Sequence, residues 1–149
     1  MKGKLSWSIF WALLGVFIVI VSVFFIPVFR DLLRGSLLVF SPFIVFFLLG
    51  GALIFFTVKE KVGGMLKKVF LLLTGASAVG FLLFIILHNA VYALFIHFFG
   101  AEFWNGRDEP FFFIMAIIVC PLGFLVGAVG SIVLAIKKLR MVKKLPSSP

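Results

Sequence analysis

The chain has 149 residues, of which 64% are hydrophobic and 13% are charged, and its formal net charge is +9. Soluble domains of this length are nearer one half apolar and one quarter charged, so a mean hydropathy of +1.31 excludes a water-soluble globule. A single cysteine and the lack of a long polar tract exclude a disulfide scaffold and a disordered chain. The composition therefore predicts an integral membrane protein.

Four long apolar runs without Asp, Glu, Lys or Arg follow one another along the chain. They cover residues 7–29, 37–58, 69–99 and 111–136. A bilayer core of about 30 Å takes roughly 20 helical residues, so each run predicts one transmembrane helix. The third run is longer than one span requires, and we expect a span over 69–92 with an extension to 99. The predicted fold is all-α, a single domain of four transmembrane helices in an antiparallel bundle with short loops.

The basic residues predict the orientation of these helices. The N-terminus, the connection between helices two and three, and the C-terminus carry eleven basic residues against one acidic residue, whereas the other side carries three against four. The positive-inside rule therefore places both termini in the cytoplasm, with residues 137–149 as a basic cytoplasmic tail. We expect anionic lipids as partners at this face, and no nucleic acid, because the basic residues are dispersed over three segments. Short loops and lysine-rich inner segments favour a prokaryotic plasma membrane.

Small residues recur at helical spacing and predict close helix packing. They are Gly123, Gly127 and Ser131 on helix four, Ala76 and Gly80 on helix three, and a patch at Gly50-Gly51-Ala52 on helix two. The spacing leaves open whether these faces meet within one chain or between subunits.

The remaining polarity gathers at the outer end of helix three and in the loop that follows. The candidate ligand-binding residues are His88, Asn89, Tyr92, His97, Glu102, Trp104, Arg107, Asp108 and Glu109. They fit either helix packing and an interfacial belt, or a pocket for a lipid or a small apolar ligand. A third reading is a metal-dependent membrane enzyme that uses His88, His97 and the outer acids. His88 and His97 are nine residues apart, so they point to opposite sides of a straight helix and cannot form a metal pair by themselves.

Helix four contains Cys120-Pro121 within its apolar run. Proline removes a backbone hydrogen bond and predicts a bend, either static or a hinge. A lone cysteine cannot support chemistry that requires a cysteine pair. Before the helix, Asp108 and Glu109 precede Pro110, a pattern typical of a helix N-terminus.

The sequence contains neither an intramembrane charge nor a catalytic motif, so we expect no catalytic residue, metal or cofactor. The preferred function is a small, non-enzymatic accessory or scaffold subunit, or an oligomeric assembly component. Its partners would be further copies of the chain or a larger membrane complex. The alternative is a binder or transporter of lipid or a small apolar ligand, with an outer cavity near helix three.

Overall fold

The computed structural model describes residues 3–28, 40–60, 62–104 and 109–144. These residues form the helices α1 (Lys4–Phe25), α2 (Ser41–Lys59), α3 (Met65–Phe99), α4 (Pro110–Ile114) and α5 (Cys120–Lys144). Within these ranges there is no strand. The stretches long and apolar enough to cross a membrane are Lys4–Val23, Ser41–Lys59, Met65–Phe99 and Pro110–Met141. The predicted all-α chain with four apolar helices is confirmed.

The helices extend beyond the charge-free runs where the flanking residues are lysines. α3 begins at Met65 and so includes Lys67 and Lys68, and α5 continues through the basic segment to Lys144. Lysine favours helices, and its long side chain can place its charge in the headgroup layer while its stem covers apolar surface. α2 begins at Ser41 and has Pro42 in its first turn, where a missing backbone donor is tolerated. The helix ends therefore do not coincide with the boundaries of the charge-free runs.

Two glycines set the crossing of α2 and α3. A Cβ atom built on Gly50 would lie 2.8 Å from the Cβ atom of Ala78 and 2.9 Å from the carbonyl oxygen of Gly75. A Cβ atom on Gly75 would lie 2.9 Å from the Gly50 carbonyl oxygen. Real Cβ contacts of this kind lie at 3.4–4 Å. The two backbones can therefore approach this closely only because both residues lack a side chain.

The small-residue face predicted for the fourth apolar run lies on α5 and packs against α3 within the chain. A Cβ atom on Gly127 would lie 2.8 Å from the backbone nitrogen of Thr74, and one on Gly123 would lie 2.6 Å from the Ser77 hydroxyl oxygen. Ser131, one turn further along α5, is fully buried. The sequence left open whether this face is internal or between subunits, and the structure makes it internal.

The predicted small residues of helix three divide between two environments. Gly80 is buried, and a Cβ atom there would lie 3.1 Å from the sulfur of Cys120. Ala76 lies on an exposed face of α3 and takes no part in either crossing. The residue that packs against α2 is its neighbour Gly75.

Aromatic side chains fill the space between α1, α2 and the fourth span, which consists of α4, the π-helical turn Met115–Val119 and α5. The rings of Phe17 and Phe124 stack with centroids 4.4 Å apart, and Phe46 contacts both. Phe124 and Phe10 are almost completely buried. These rings bring α1 close to the fourth span without a close backbone approach.

Cys120-Pro121 follows the π-helical turn Met115–Val119. The backbone nitrogen of Cys120 bonds to the carbonyl oxygen of Met115, five residues back. A regular helix would leave a carbonyl facing the proline ring, which supplies no donor, and the wider turn accommodates this local break in the hydrogen-bond ladder. The proline predicts a bend, and the structure shows a π-helical turn immediately before Cys120-Pro121.

Candidate functional site

The end of the molecule opposite the lysines contains a buried polar pair between α3 and the start of α4. Nδ1 of His88 lies 3.3 Å from Oε2 of Glu109, and the two side chains are 13% and 6% exposed. Glu109 also caps α4: its carboxylate accepts hydrogen bonds from the backbone nitrogens of Phe111 at 2.8 Å and Phe112 at 2.9 Å. The predicted helix start at Pro110 is confirmed. One carboxylate therefore caps the fourth span and ties it to α3.

The contact of His88 with Glu109 shows how far α3 extends beyond the start of α4. Glu109 sets the start of the fourth span beside His88, and α3 continues as an unbroken helix for eleven further residues, 89–99. At 1.5 Å per residue the projection is about 16 Å, and α3 as a whole is about 52 Å long. The predicted extension of helix three to residue 99 is thus a continuous part of the same helix.

The projecting part of α3 is covered by the turn that follows it. A 3₁₀ turn at Ala101–Trp104 folds back so that Trp104 stacks on Tyr92 with ring centroids 6.1 Å apart and lies 5.5 Å from Phe95. Phe103 lies 4.9 Å from the same Phe95 ring. Nε1 of Trp104 is buried and has no hydrogen-bond partner among the described residues. Aromatic stacking thus covers α3 at Tyr92 and Phe95.

The other candidate ligand-binding residues do not join His88 in one site. Asn89 is exposed, and its amide nitrogen donates to the carbonyl oxygen of Ile85 in its own helix at 2.8 Å. His97 is exposed and contacts the ring of Phe98. Glu102 is exposed on the 3₁₀ turn.

Two more candidates, Arg107 and Asp108, lie outside the described residues. Among those described, no three His, Cys, Asp or Glu side chains are grouped closely enough to hold a metal ion. The structure therefore brings together two pairs of the predicted cluster, the polar pair of His88 and Glu109 and the stacked rings of Tyr92 and Trp104.

A small cavity lies between the helices in the middle of the molecule. Its volume of about 30 Å³ suits one or two water molecules and is far below the several hundred Å³ of typical ligand pockets. The lining is almost wholly apolar and consists of Phe17, Ile20, Phe46, Ser77, Phe81, Cys120, Pro121 and Phe124. A lipid or cofactor does not fit inside this space.

Sequence reasoning missed a contact at the lysine-rich end, which is the end that carries Lys59, Lys67 and Lys138. The carboxylate of Glu60, just after α2, accepts hydrogen bonds from the backbone nitrogens of Leu5 at 3.3 Å and Ser6 at 3.0 Å, and from the Ser6 hydroxyl. The Ser6 hydroxyl and backbone bonds hold the pKa of Glu60 below its ordinary value. The first turn of α1 has no cap of its own, because Gly3 precedes it, so Glu60 supplies the cap from 54 residues away.

Sequence reasoning also missed an exposed face on α1 that contains the three small residues Ser8, Ala12 and Gly15. Ser8, Ala12, Gly15 and Val19 are all exposed, and nothing in the described chain lies within 4 Å of a Cβ atom built on Gly15. Their spacing is four, three and four residues, and Ser22 continues it with three more. This alternation of four and three aligns the residues on one face, and it is the signal that could have identified them.

Comparisons of this chain with protein-family models, with curated protein sequences and with solved structures give no match. The geometry of the helices is therefore the basis for a functional proposal.

Proposed function

We propose that the chain is a non-enzymatic, multi-pass membrane protein that acts as an assembly component and pairs with a second copy of itself through α1. The observation that carries the proposal is the exposed face of Ser8, Ala12, Gly15 and Val19. Small residues in a membrane helix let another helix approach closely, where packing and weak backbone contacts stabilise the pair. Gly75 and Gly80 of α3 and Gly123 and Gly127 of α5 already pack inside the chain. A Cβ atom on Gly15 of α1, in contrast, would contact no other described helix within 4 Å.

A second copy is the occupant that best fits the pattern on α1. Two copies with the same membrane orientation have parallel α1 helices, and a repeat of four and three residues lets a helix pack in register on an identical, parallel partner. Gly15 lies near the centre of the face, where the two helices would approach most closely. The interface would be symmetric, with the same face on both copies.

The proposed setting is a prokaryotic plasma membrane, with the four helices as an antiparallel bundle and both termini in the cytoplasm. Contacts support antiparallel neighbours: Gly50 lies against Gly75 and Ala78, while the earlier residue Phe43 stacks on the later residue Phe81. The lysine-rich end would then face the cytoplasm and its anionic lipids.

Orientation can be tested with single cysteines in a Cys120→Ala chain. A membrane-impermeant thiol reagent should label Asn105→Cys in intact cells and Ser147→Cys only after permeabilisation. The opposite pattern would overturn the proposed topology.

Pairing can be tested by oxidative cross-linking in native membranes. In the same Cys120→Ala chain, Gly15→Cys should form a disulfide-linked dimer. Leu48→Cys is the matched control, because Leu48 is 61% exposed on α2, and the contact of Phe17 with Phe46 places it at a depth similar to that of Gly15. We expect no more than collisional cross-linking from Leu48→Cys.

A second substitution separates pairing from folding. Gly15→Leu should abolish the dimer while leaving the monomer folded, because the position has open space around it and leucine favours helices. If the chain stays monomeric at every density of protein in the membrane, the proposal is wrong. A cross-link from Gly15→Cys only to a different protein would replace pairing of copies with the role of an accessory subunit in a mixed complex.

A further inference from the structure

One side of the fourth span carries an apolar groove next to α3. Leu125, Val126, Val129 and Gly130 border the groove together with Phe70, and its volume is about 430 Å³. Val126 and Val129 are each 57% exposed. The ring of Phe70 lies where a side chain on residue 130 would be, 2.6 Å from the position of a Cβ atom on Gly130. The groove is therefore shallow, open and apolar, and it runs along the surface of α5.

The same side of α5 becomes basic towards the lysine-rich end. Helical spacing continues the line of Val126 and Val129 to Val133, then to Lys137 and Arg140. Val133, Lys137 and Arg140 border a second depression of about 300 Å³ together with Ile136 and Met141. The groove and the depression thus form an apolar stretch that ends in two cations.

A separate cleft near the start of α3 adds positive charge at the same end of the molecule, although the Lys67 ammonium there already lies 4.9 Å from the centre of the Trp7 ring. Lys67 and Lys138 line this cleft of about 540 Å³, whose α3 side includes Gly63 and Gly64. Within the described residues no carboxylate pairs with these cations, because Glu60 is held by Ser6 and Leu5 at the start of α1. The two cations that border the depression, Lys137 and Arg140, are therefore available to bind an anion.

The dimensions of this surface match one leaflet of a bilayer. Eleven residues separate Val126 from Lys137, which corresponds to about 16 Å of helix. Half of a hydrocarbon core of about 30 Å is about 15 Å. An anionic phospholipid has the complementary form: phosphate oxygens that accept charge-assisted hydrogen bonds, and acyl chains that bury apolar surface.

We propose that this surface is a binding site for one anionic phospholipid. The guanidinium of Arg140 and the ammonium of Lys137, which border the depression, hold the phosphate. One acyl chain runs past Val133 and Val129 towards Val126. The site lies on the fourth span and is separate from the α1 face, so the lipid and the pairing of copies can be tested independently.

The head-group contacts are tested by lipid titration of the purified full chain, with native mass spectrometry to count bound lipids. The probe is phosphatidylglycerol, and phosphatidylcholine is the neutral comparison. Each basic side chain near a membrane surface contributes enough to binding that losing two should weaken phosphatidylglycerol binding about thirtyfold. We expect this for Lys137→Gln with Arg140→Gln, and little change in phosphatidylcholine binding.

The control removes the same charge elsewhere at the lysine-rich end. Lys4→Gln with Lys59→Gln changes two exposed lysines on α1 and α2. It should alter phosphatidylglycerol binding less than threefold. If both double variants weaken binding equally, the protein attracts anionic lipid only through its overall charge, and the proposed site is wrong.

The acyl-chain contact has its own test. Val129→Trp fills the groove and should lower the affinity for phosphatidylglycerol by tenfold or more, whereas Leu48→Trp on α2 should not. Thermal unfolding in phosphatidylcholine checks that both variants fold. Unchanged phosphatidylglycerol binding by a folded Val129→Trp chain would overturn the proposal, whatever the cross-linking of α1 shows.

Discussion

The crossing of α2 and α3 allows a sharp test, because two adjacent glycines of α2 have opposite surroundings. A Cβ atom on Gly50 would lie 2.8 Å from the Cβ atom of Ala78 and 2.9 Å from the Gly75 carbonyl oxygen, whereas one on Gly51 would have nothing within 4 Å. Gly50→Ala and Gly51→Ala add the same methyl group to the same helix. The difference between their free energies of unfolding therefore isolates the cost of the crossing.

The magnitude follows from these distances. To restore contacts of at least 3.4 Å, the two helices must separate locally by roughly 0.5 Å, and a gap of that size loses about a quarter of the dispersion energy along the contact. Overpacking of this kind costs about 1–3 kcal/mol. The gain in helix propensity from glycine to alanine is common to both variants and cancels in the comparison. We expect Gly50→Ala to be about 1–3 kcal/mol less stable than Gly51→Ala.

The measurement is unfolding by sodium dodecyl sulfate in mixed micelles, followed by far-ultraviolet circular dichroism. Refolding of each variant on dilution establishes that the transition is reversible. Equal stability of the two alanine variants would show that Gly50 does not lie in a close helix crossing.

Three further substitutions test other contacts. Gly127→Ala should destabilise the chain by about 1–3 kcal/mol in the same assay, because its Cβ atom would meet the backbone of α3. Stability at or above the wild-type value would refute the close packing of α5 on α3. Glu109→Ala removes the cap of α4 and should lower the free energy of unfolding by about 1–2 kcal/mol. The control Glu102→Ala, at an exposed residue, should change it by no more than about 0.5 kcal/mol. Equal effects of the two variants would contradict the capping role of Glu109. Glu60→Gln tests a pH dependence. The folded-state pKa of Glu60 is below its ordinary value of 4.5, so the Glu60 carboxylate stabilises the folded chain fully above pH 4.5. This stabilisation is lost as the pH falls through the folded-state pKa. The wild type should therefore exceed Glu60→Gln in midpoint of unfolding at pH 7 and converge with it in acid, and a constant difference down to pH 3 would refute the carboxylate contact.

The coarse architecture follows from the sequence because charge is expensive in hydrocarbon. Runs without charge therefore predict spans, and each overlaps a helical stretch long and apolar enough to cross a membrane. The excess length of the third run appears as an unbroken α3. Small residues at a spacing of four, such as Gly123 and Gly127, predict packing for a similar reason, since close approach between helices requires a missing side chain.

The partner of each face could not be predicted in the same way. A membrane helix is apolar on all sides, so its hydrophobic pattern does not distinguish Gly50 from Gly51, or Gly75 from the exposed Ala76. In the candidate site, the cap at Glu109 was a local signal, but its contact with His88 depends on how α3 and α4 pack. The fold-back of Trp104 onto Tyr92 likewise depends on the turn geometry after α3.

The cap that Glu60 provides for α1 has a consequence for the order in which the protein is made. Synthesis proceeds from the N-terminus, so the first turn of α1 emerges before Glu60 exists. Its backbone donors can acquire their final acceptor only after α2 has been synthesised and has returned to the same end of the molecule. The pair of α1 and α2 is thus the smallest unit in which the first turn of α1 has its final cap, and a ribosome stalled before residue 60 would leave α1 with its N-terminus uncapped by Glu60.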